Sequence, residues 1–155
     1  MDKREYKELS ELAANGGTKA FARLYETVYR EMYYTAFYTL CVDADAVELV
    51  TASARDGMSA ISKIRTEEAF RAFMLRNLCA RIRTRLKESP VKPLPESDGF
   101  DILAEFAKLE DSERLIASMY IAARLQPADI ALYTGINSTA VNKTLERVLS
   151  AFELD

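Results

Sequence analysis

Three of the four prolines in this chain fall within six residues, at positions 90, 93 and 95. Proline has no amide donor and steers the residue before it away from helix. No helix is expected to run through Glu88–Phe100, so that segment reads as an extended linker. It divides the 155 residues into a first domain, 1–87, and a second, 101–155, with 88–100 between them. Apolar residues on both sides recur at helical spacing, and strand-like alternation bounded by turns is absent. The expected fold class is all-α: two small helical domains joined by a Pro-rich linker.

A first helix is expected from Asp2 to Asn15, with Tyr6, Leu9, Leu12 and Ala13 on one face and Gly16-Gly17 ending it. Thr18 is placed to cap a second, whose core stripe is Phe21, Leu24, Val28, Met32, Ala36 and Leu40. Asp43 is placed to cap a third, running to about Ile64, and Thr66 a fourth with the stripe Phe70, Phe73, Met74, Leu78, Ile82 and Leu86. Gly57 lies inside the third and costs about 1 kcal/mol there against alanine. In the second domain a short helix is expected near Ile102–Leu109, and another from Ser112 to Leu125 capped by Asp111. Pro127 suits the first turn of a helix to Tyr133, and a last helix spans about Ser138–Phe152. The turn Thr134-Gly135-Ile136-Asn137 between those two makes a helix-turn-helix pattern. Its second helix would present Thr139, Asn142, Lys143 and Arg147 to a DNA groove. A helical hairpin packed against another element has the same pattern.

The residue inventory excludes much chemistry. There is no histidine, which removes Ser-His-Asp triads, Cys-His dyads and His-containing metal sites. The two cysteines, Cys41 and Cys79, are far apart and outside any CxxC, so neither a disulfide framework nor a Cys-rich metal site is expected. No glycine-rich phosphate loop is present. No catalytic residues and no cofactor are expected. A charged start, Met1-Asp2-Lys3-Arg4-Glu5, and no long apolar run imply no signal peptide, no membrane span and a cytoplasmic location.

The net charge is −3, but its distribution is uneven. Residues 63–87 hold 8 basic and 2 acidic side chains, whereas residues 91–155 hold 6 basic and 11 acidic ones. The first of these segments suits a polyanion, with basic groups tracking phosphates and aromatic faces stacking bases. Solvated arginines beside a packed aromatic core would give the same pattern. The aromatics Tyr33, Tyr34, Phe37 and Tyr38 wrap much of one helix; part of that run is a candidate partner surface, with Phe37 read as core.

The order of these parts resembles a known family. Ala20-Phe-Ala-Arg-Leu-Tyr25 through Ala36 looks like the opening of the second conserved region of bacterial sigma factors, in the small extracytoplasmic-function group. Asp45-Ala-Val-Glu-Leu-Val50 is similar to the acidic stretch that grips the clamp helices of core RNA polymerase. Lys63-Ile-Arg-Thr through Phe73 looks like the part that captures the melted −10 element. Leu125-Gln-Pro-Ala-Asp-Ile-Ala131 with Gly135, Ile136, Val141 and Leu145 resembles the −35-reading helix-turn-helix. The resemblance covers roughly residues 18–152.

The resemblance implies a protein that directs transcription initiation, with core RNA polymerase and promoter DNA as partners. It implies polymerase contacts at Asp45, Glu48, Leu49 and Val50. It implies −10 contacts at Lys63, Arg65, Arg71, Arg76, Asn77 and Arg81, and −35 contacts at Thr139, Asn142, Lys143 and Arg147. An anti-sigma factor or a partner subunit is implied in the same way. Thr51, Ala52 and Ala54 stand where the family usually has a polar-acidic pair and a bulky aromatic, and Asn142 and Thr144 where it has basic residues. These departures, with the acidic second half, suit a second reading: a sigma-like interaction module or regulator that needs a partner subunit to act.

Overall fold

Asp2 opens the first helix by accepting the Glu5 amide on its carboxylate at 2.7 Å, and the chain then runs helically through α1, Lys3–Ala14. The computed structural model describes residues 1–95 and 99–152. Among them the chain is all-helical, with no strand, and no helix is long and apolar enough to cross a membrane. The remaining α-helices are α2 (Thr18–Glu26), α3 (Tyr29–Leu40), α4 (Asp43–Ala60), α5 (Glu67–Glu88), α6 (Ile102–Ala107), α7 (Asp111–Ala117), α8 (Pro127–Thr134) and α9 (Ser138–Ala151). A 3₁₀ turn, Ile61–Lys63, follows α4, and a π-helical turn, Ser118–Ala122, follows α7.

Several boundaries differ from the sequence expectation for local reasons. The helix expected from Thr18 to Leu40 is two helices. Thr27 donates its hydroxyl to the Leu24 carbonyl at 2.6 Å and Val28 leaves helical geometry, yet the stripe Phe21, Leu24, Val28, Met32, Ala36 and Leu40 stays buried. Thr18, Asp43 and Asp111 are first helical residues; the caps are Gly17, Val42 and Glu110. Gly17 has a steric reason, because a Cβ there would lie 2.6 Å from the Leu12 carbonyl oxygen. Asp43 and Asp45 still favour the start of α4 through the helix dipole. Thr66 caps α5 as expected, accepting the Ala69 amide at 3.0 Å, and Asn137 caps α9 in the same way at 2.9 Å. Pro127 opens α8, and Gly135 closes it at φ 76°.

Gly57 proves to be a packing residue. A Cβ there would lie 2.5 Å from Met74 Sδ and 3.3 Å from the Phe21 ring, so its absence lets α4 approach α5 and α2. The propensity cost read from the sequence is offset by that close approach.

The two stretches flanking 88–100 share one apolar core. Phe70, Met74, Leu78 and Ile82 of α5 belong to the same buried cluster as Leu115, Met119, Ile130 and Leu145. Tyr38 on α3 extends the contact into a smaller cluster, its ring 5.2 Å from Phe106, which lies 5.4 Å from Phe152. Burial of this kind supplies roughly 1.5–3 kcal/mol per large apolar side chain.

One charged side chain joins this seam. Arg114 is 1% exposed. Its Nε donates to the Thr39 carbonyl near the end of α3 at 2.5 Å, Nη1 to the Leu109 carbonyl at 2.5 Å, and Nη2 to Asp111 Oδ1 at 2.6 Å. Removing the guanidinium would leave two carbonyls without that donor. Arg114→Met is expected to lower stability by about 3 kcal/mol, measured by urea unfolding followed by far-UV circular dichroism. A loss below about 1 kcal/mol would show that water replaces the guanidinium at no great cost.

Candidate functional site

The basic segment 63–87 folds as the 3₁₀ turn, a short connection and α5. Burial of Phe70, Met74, Leu75, Leu78, Cys79, Ile82 and Leu86 places α5 in the middle of the structure, so its arginines must leave along its margins. Phe73 is only partly buried, beside the expected stripe.

Those margins meet carboxylates. Arg71 pairs with Glu31 of α3. Arg81 donates through Nε to Asp56 Oδ2 at 3.1 Å and to Asn77 Oδ1 at 3.2 Å. Arg85 spans the two acidic residues at the start of α4, with Nη1 at 2.9 Å from Asp45 Oδ1 and Nη2 at 2.7 Å from Glu48 Oε2. The acidic surface and the basic helix, expected as separate contact surfaces, are therefore cross-linked by ion pairs. Arg81, Arg85, Asp56, Asn77 and Thr84 line a groove of about 410 Å3 between α4 and α5.

Two residues of the expected polymerase contact require correction. Leu49 is 6% and Val50 2% exposed, both in the central core, so neither presents a side chain to a partner in this arrangement. The helical period puts them on the inward face while Asp45 and Glu48 stay at the edge.

Of the expected −10 residues, Lys63 and Arg65 are exposed and, among the described residues, have no carboxylate within 4 Å. Arg65 lines a second groove of about 410 Å3 between α1 and residues 61–65, together with Lys7, Ser10, Glu11, Asn15 and Ser62. Tyr6 fixes that connection by donating its hydroxyl to the Ile64 carbonyl at 2.8 Å. Arg76 is exposed, with Nε 3.3 Å from the Leu132 carbonyl of α8. Arg71, Asn77 and Arg81 are engaged as described.

On α9, Thr139, Asn142 and Lys143 are exposed at i, i+3 and i+4 and share one face. Arg147 is held by Glu113 of α7, Nε to Oε2 at 2.8 Å. The aromatic run is partly open: Tyr29 is 43% exposed, and Tyr33 lies parallel to Phe37 with centroids 5.8 Å apart. Phe37 is partly rather than fully buried. Tyr33 donates its hydroxyl to Asp43, and that hydrogen bond pushes its phenol up to about 12.

Arg85 as a bridge was not visible in the sequence. The signal available was pairing potential: a helix with five arginines beside a helix carrying Asp45, Glu48 and Asp56. Only the packing of α4 on α5 says which charges meet.

The hydrogen bond from Arg81 holds the Asp56 carboxyl below its ordinary 3.8. Because the folded-state value is depressed, the pair's stabilising effect is present above pH 3.8 and lost as pH falls through the lowered value. Carboxyl-carbon NMR should find Asp56 titrating below 3.8, and Arg81→Gln should move it back up. An unchanged titration in that variant would break the assigned pairing.

Comparison with protein families, with curated proteins and with solved structures finds no match to this chain.

Proposed function

We propose that the chain is a divergent sigma-type factor that binds core RNA polymerase and engages promoter DNA in transcription initiation. Single-stranded −10 DNA is bound along Lys63, Arg65 and the exposed margin of α5. The polymerase contact is the acidic pair Asp45 and Glu48, and duplex −35 DNA is met by Thr139, Asn142 and Lys143. The observation that carries this reading is the exposure of Lys63 and Arg65 beside the α1 groove, where cations meet a cleft of a size that admits an unstacked base.

A second reading, a sigma-like regulator that acts only with a partner subunit, has its own support. The halves share a core, and Arg71, Arg81 and Arg85 are already paired. Cations held by carboxylates release few counterions on binding DNA, which lowers affinity.

Two experiments test these readings. Lys63→Glu with Arg65→Glu should weaken binding to a single-stranded −10 oligonucleotide at least tenfold and flatten its log–log salt dependence by roughly 1.4. Equal affinity and slope would remove this segment from the DNA interface. Gel filtration with core RNA polymerase should show co-elution that Glu48→Arg abolishes. Co-elution only when a further subunit is added would select the second reading.

A further inference from the structure

Away from these surfaces, a cavity of about 290 Å3 lies at the seam of the two halves. Arg30, Glu31 and Tyr34 of α3 form one wall, and Ala122, Ala123 and Arg124 form the other. From this geometry we infer that the cavity is a binding site for a small phosphoryl anion, of the pyrophosphate or phosphate-monoester class.

Charge is the first argument. Glu31 is engaged by Arg71, so it does not neutralise the other cations. Among the described residues neither Arg30 nor Arg124 has a carboxylate within 4 Å. The cavity therefore carries two uncompensated guanidinium groups from opposite walls. Both side chains are exposed at the cavity, and an oxyanion there would meet a donor from each wall. Each planar fork matches two oxygens of a phosphoryl group. Arg30 is steered by Tyr34, its guanidinium carbon 5.4 Å from the ring centroid, which limits the freedom it would lose on binding.

Backbone geometry is the second argument. Arg124 has φ 60°, a left-handed conformation that strains a non-glycine residue and that glycine takes freely. The chain uses glycine at the equivalent end of α8, where Gly135 has φ 76°. Cys41, buried at the end of α3, is the other non-glycine residue with positive φ among the described residues; Arg124 differs in presenting an exposed side chain at a cavity. The preceding turn is π-helical: Ala123 N donates to Ser118 O at 2.9 Å and Leu125 N to Met119 O at 2.8 Å. Such turns recur at functional sites, and this one aims residues 122–124 at α3.

Size selects among anions. The volume sits at the lower end of small-molecule sites. It admits one or two phosphoryl groups with a small organic part, not a length of nucleic-acid chain. Because its walls come from both halves, the ligand would bind the joined arrangement and stabilise it.

Titration calorimetry and thermal unfolding of the full chain with pyrophosphate, in about 0.15 M salt, test this. Saturable binding at one site is expected, with a midpoint raised by about 8 °C at a hundredfold excess over Kd. Arg30→Gln and Arg124→Gly should each weaken binding tenfold or more. Arg124→Gly should unfold, without ligand, no lower than the parent, which separates loss of the site from loss of the fold. No saturable binding up to about 10 mM by a chain shown folded by circular dichroism would overturn the assignment. So would affinity unchanged in both variants, or displacement of pyrophosphate by succinate or an oligothymidine at lower concentration.

Discussion

The structure turns on a buried guanidinium. Arg114 is tolerable there only while acceptors surround it. They come from three places: the Thr39 carbonyl near the end of α3, the Leu109 carbonyl before α7 and the Asp111 carboxylate at its first turn. The cation also suits the negative end of the α3 dipole. Loss of any one of these alignments would leave a buried charge short of a partner, so α7 has one acceptable position against α3. Next to this junction Cys41 ends α3 at φ 63°, with burial pushing its thiol up and Arg114 opposing that shift. Residues 75 positions apart in sequence are thereby set in register by one side chain.

The same physics gives the basic helix a different meaning from its composition. Eight cations against two anions between residues 63 and 87 read as a field looking for a polyanion. Folding places α3 and α4 beside α5, and their carboxylates engage Arg71, Arg81 and Arg85. Half-buried pairs of this kind contribute modestly to stability, on the order of 1 kcal/mol each. Their effect on binding is larger, because each holds back a charge that would otherwise meet phosphate. What remains available is Lys63 and Arg65 ahead of the helix and the exposed Arg76, Arg83 and Lys87 along it.

Helical periodicity made most of the fold legible. The stripe from Phe21 to Leu40, the cap at Thr66, the proline at the start of α8 and the turn at Gly135 all follow from local spacing and backbone preference. What was not legible depends on residues distant in sequence. Val28 is a good stripe residue, and only the bonded turn at Thr27 shows that the chain bends there. Gly57 reads as a defect until Met74 and Phe21 are found against it. Nothing in the spacing of its helix marks Arg114 as the buried cation; its acceptors at Thr39 and Leu109 are found only by packing. Leu49 and Val50 lie in the core, as helical spacing has them; only the likeness to an acidic motif offered them to a partner. The site was legible in its residue types and not in their pairings, since pairing is decided by helix packing.

The shared core bears on how any promoter-reading function could operate. Engaging two separated DNA elements in an extended arrangement requires the halves to part. If that exposed only three of the side chains in the common cluster, such as Met119, Ile130 and Tyr133, it would cost on the order of 5 kcal/mol. The parted form would then be about one molecule in several thousand. Arg114 raises the cost further, because parting strips the Thr39 carbonyl from a buried guanidinium. A partner could shift this balance only by binding the parted form more tightly than the joined one, by a factor of roughly 5 × 10⁵ for near-complete conversion. Exposed cations that meet phosphate equally in both forms supply no such difference. The free energy would have to come from an extended protein interface, whether on polymerase itself or on a further subunit.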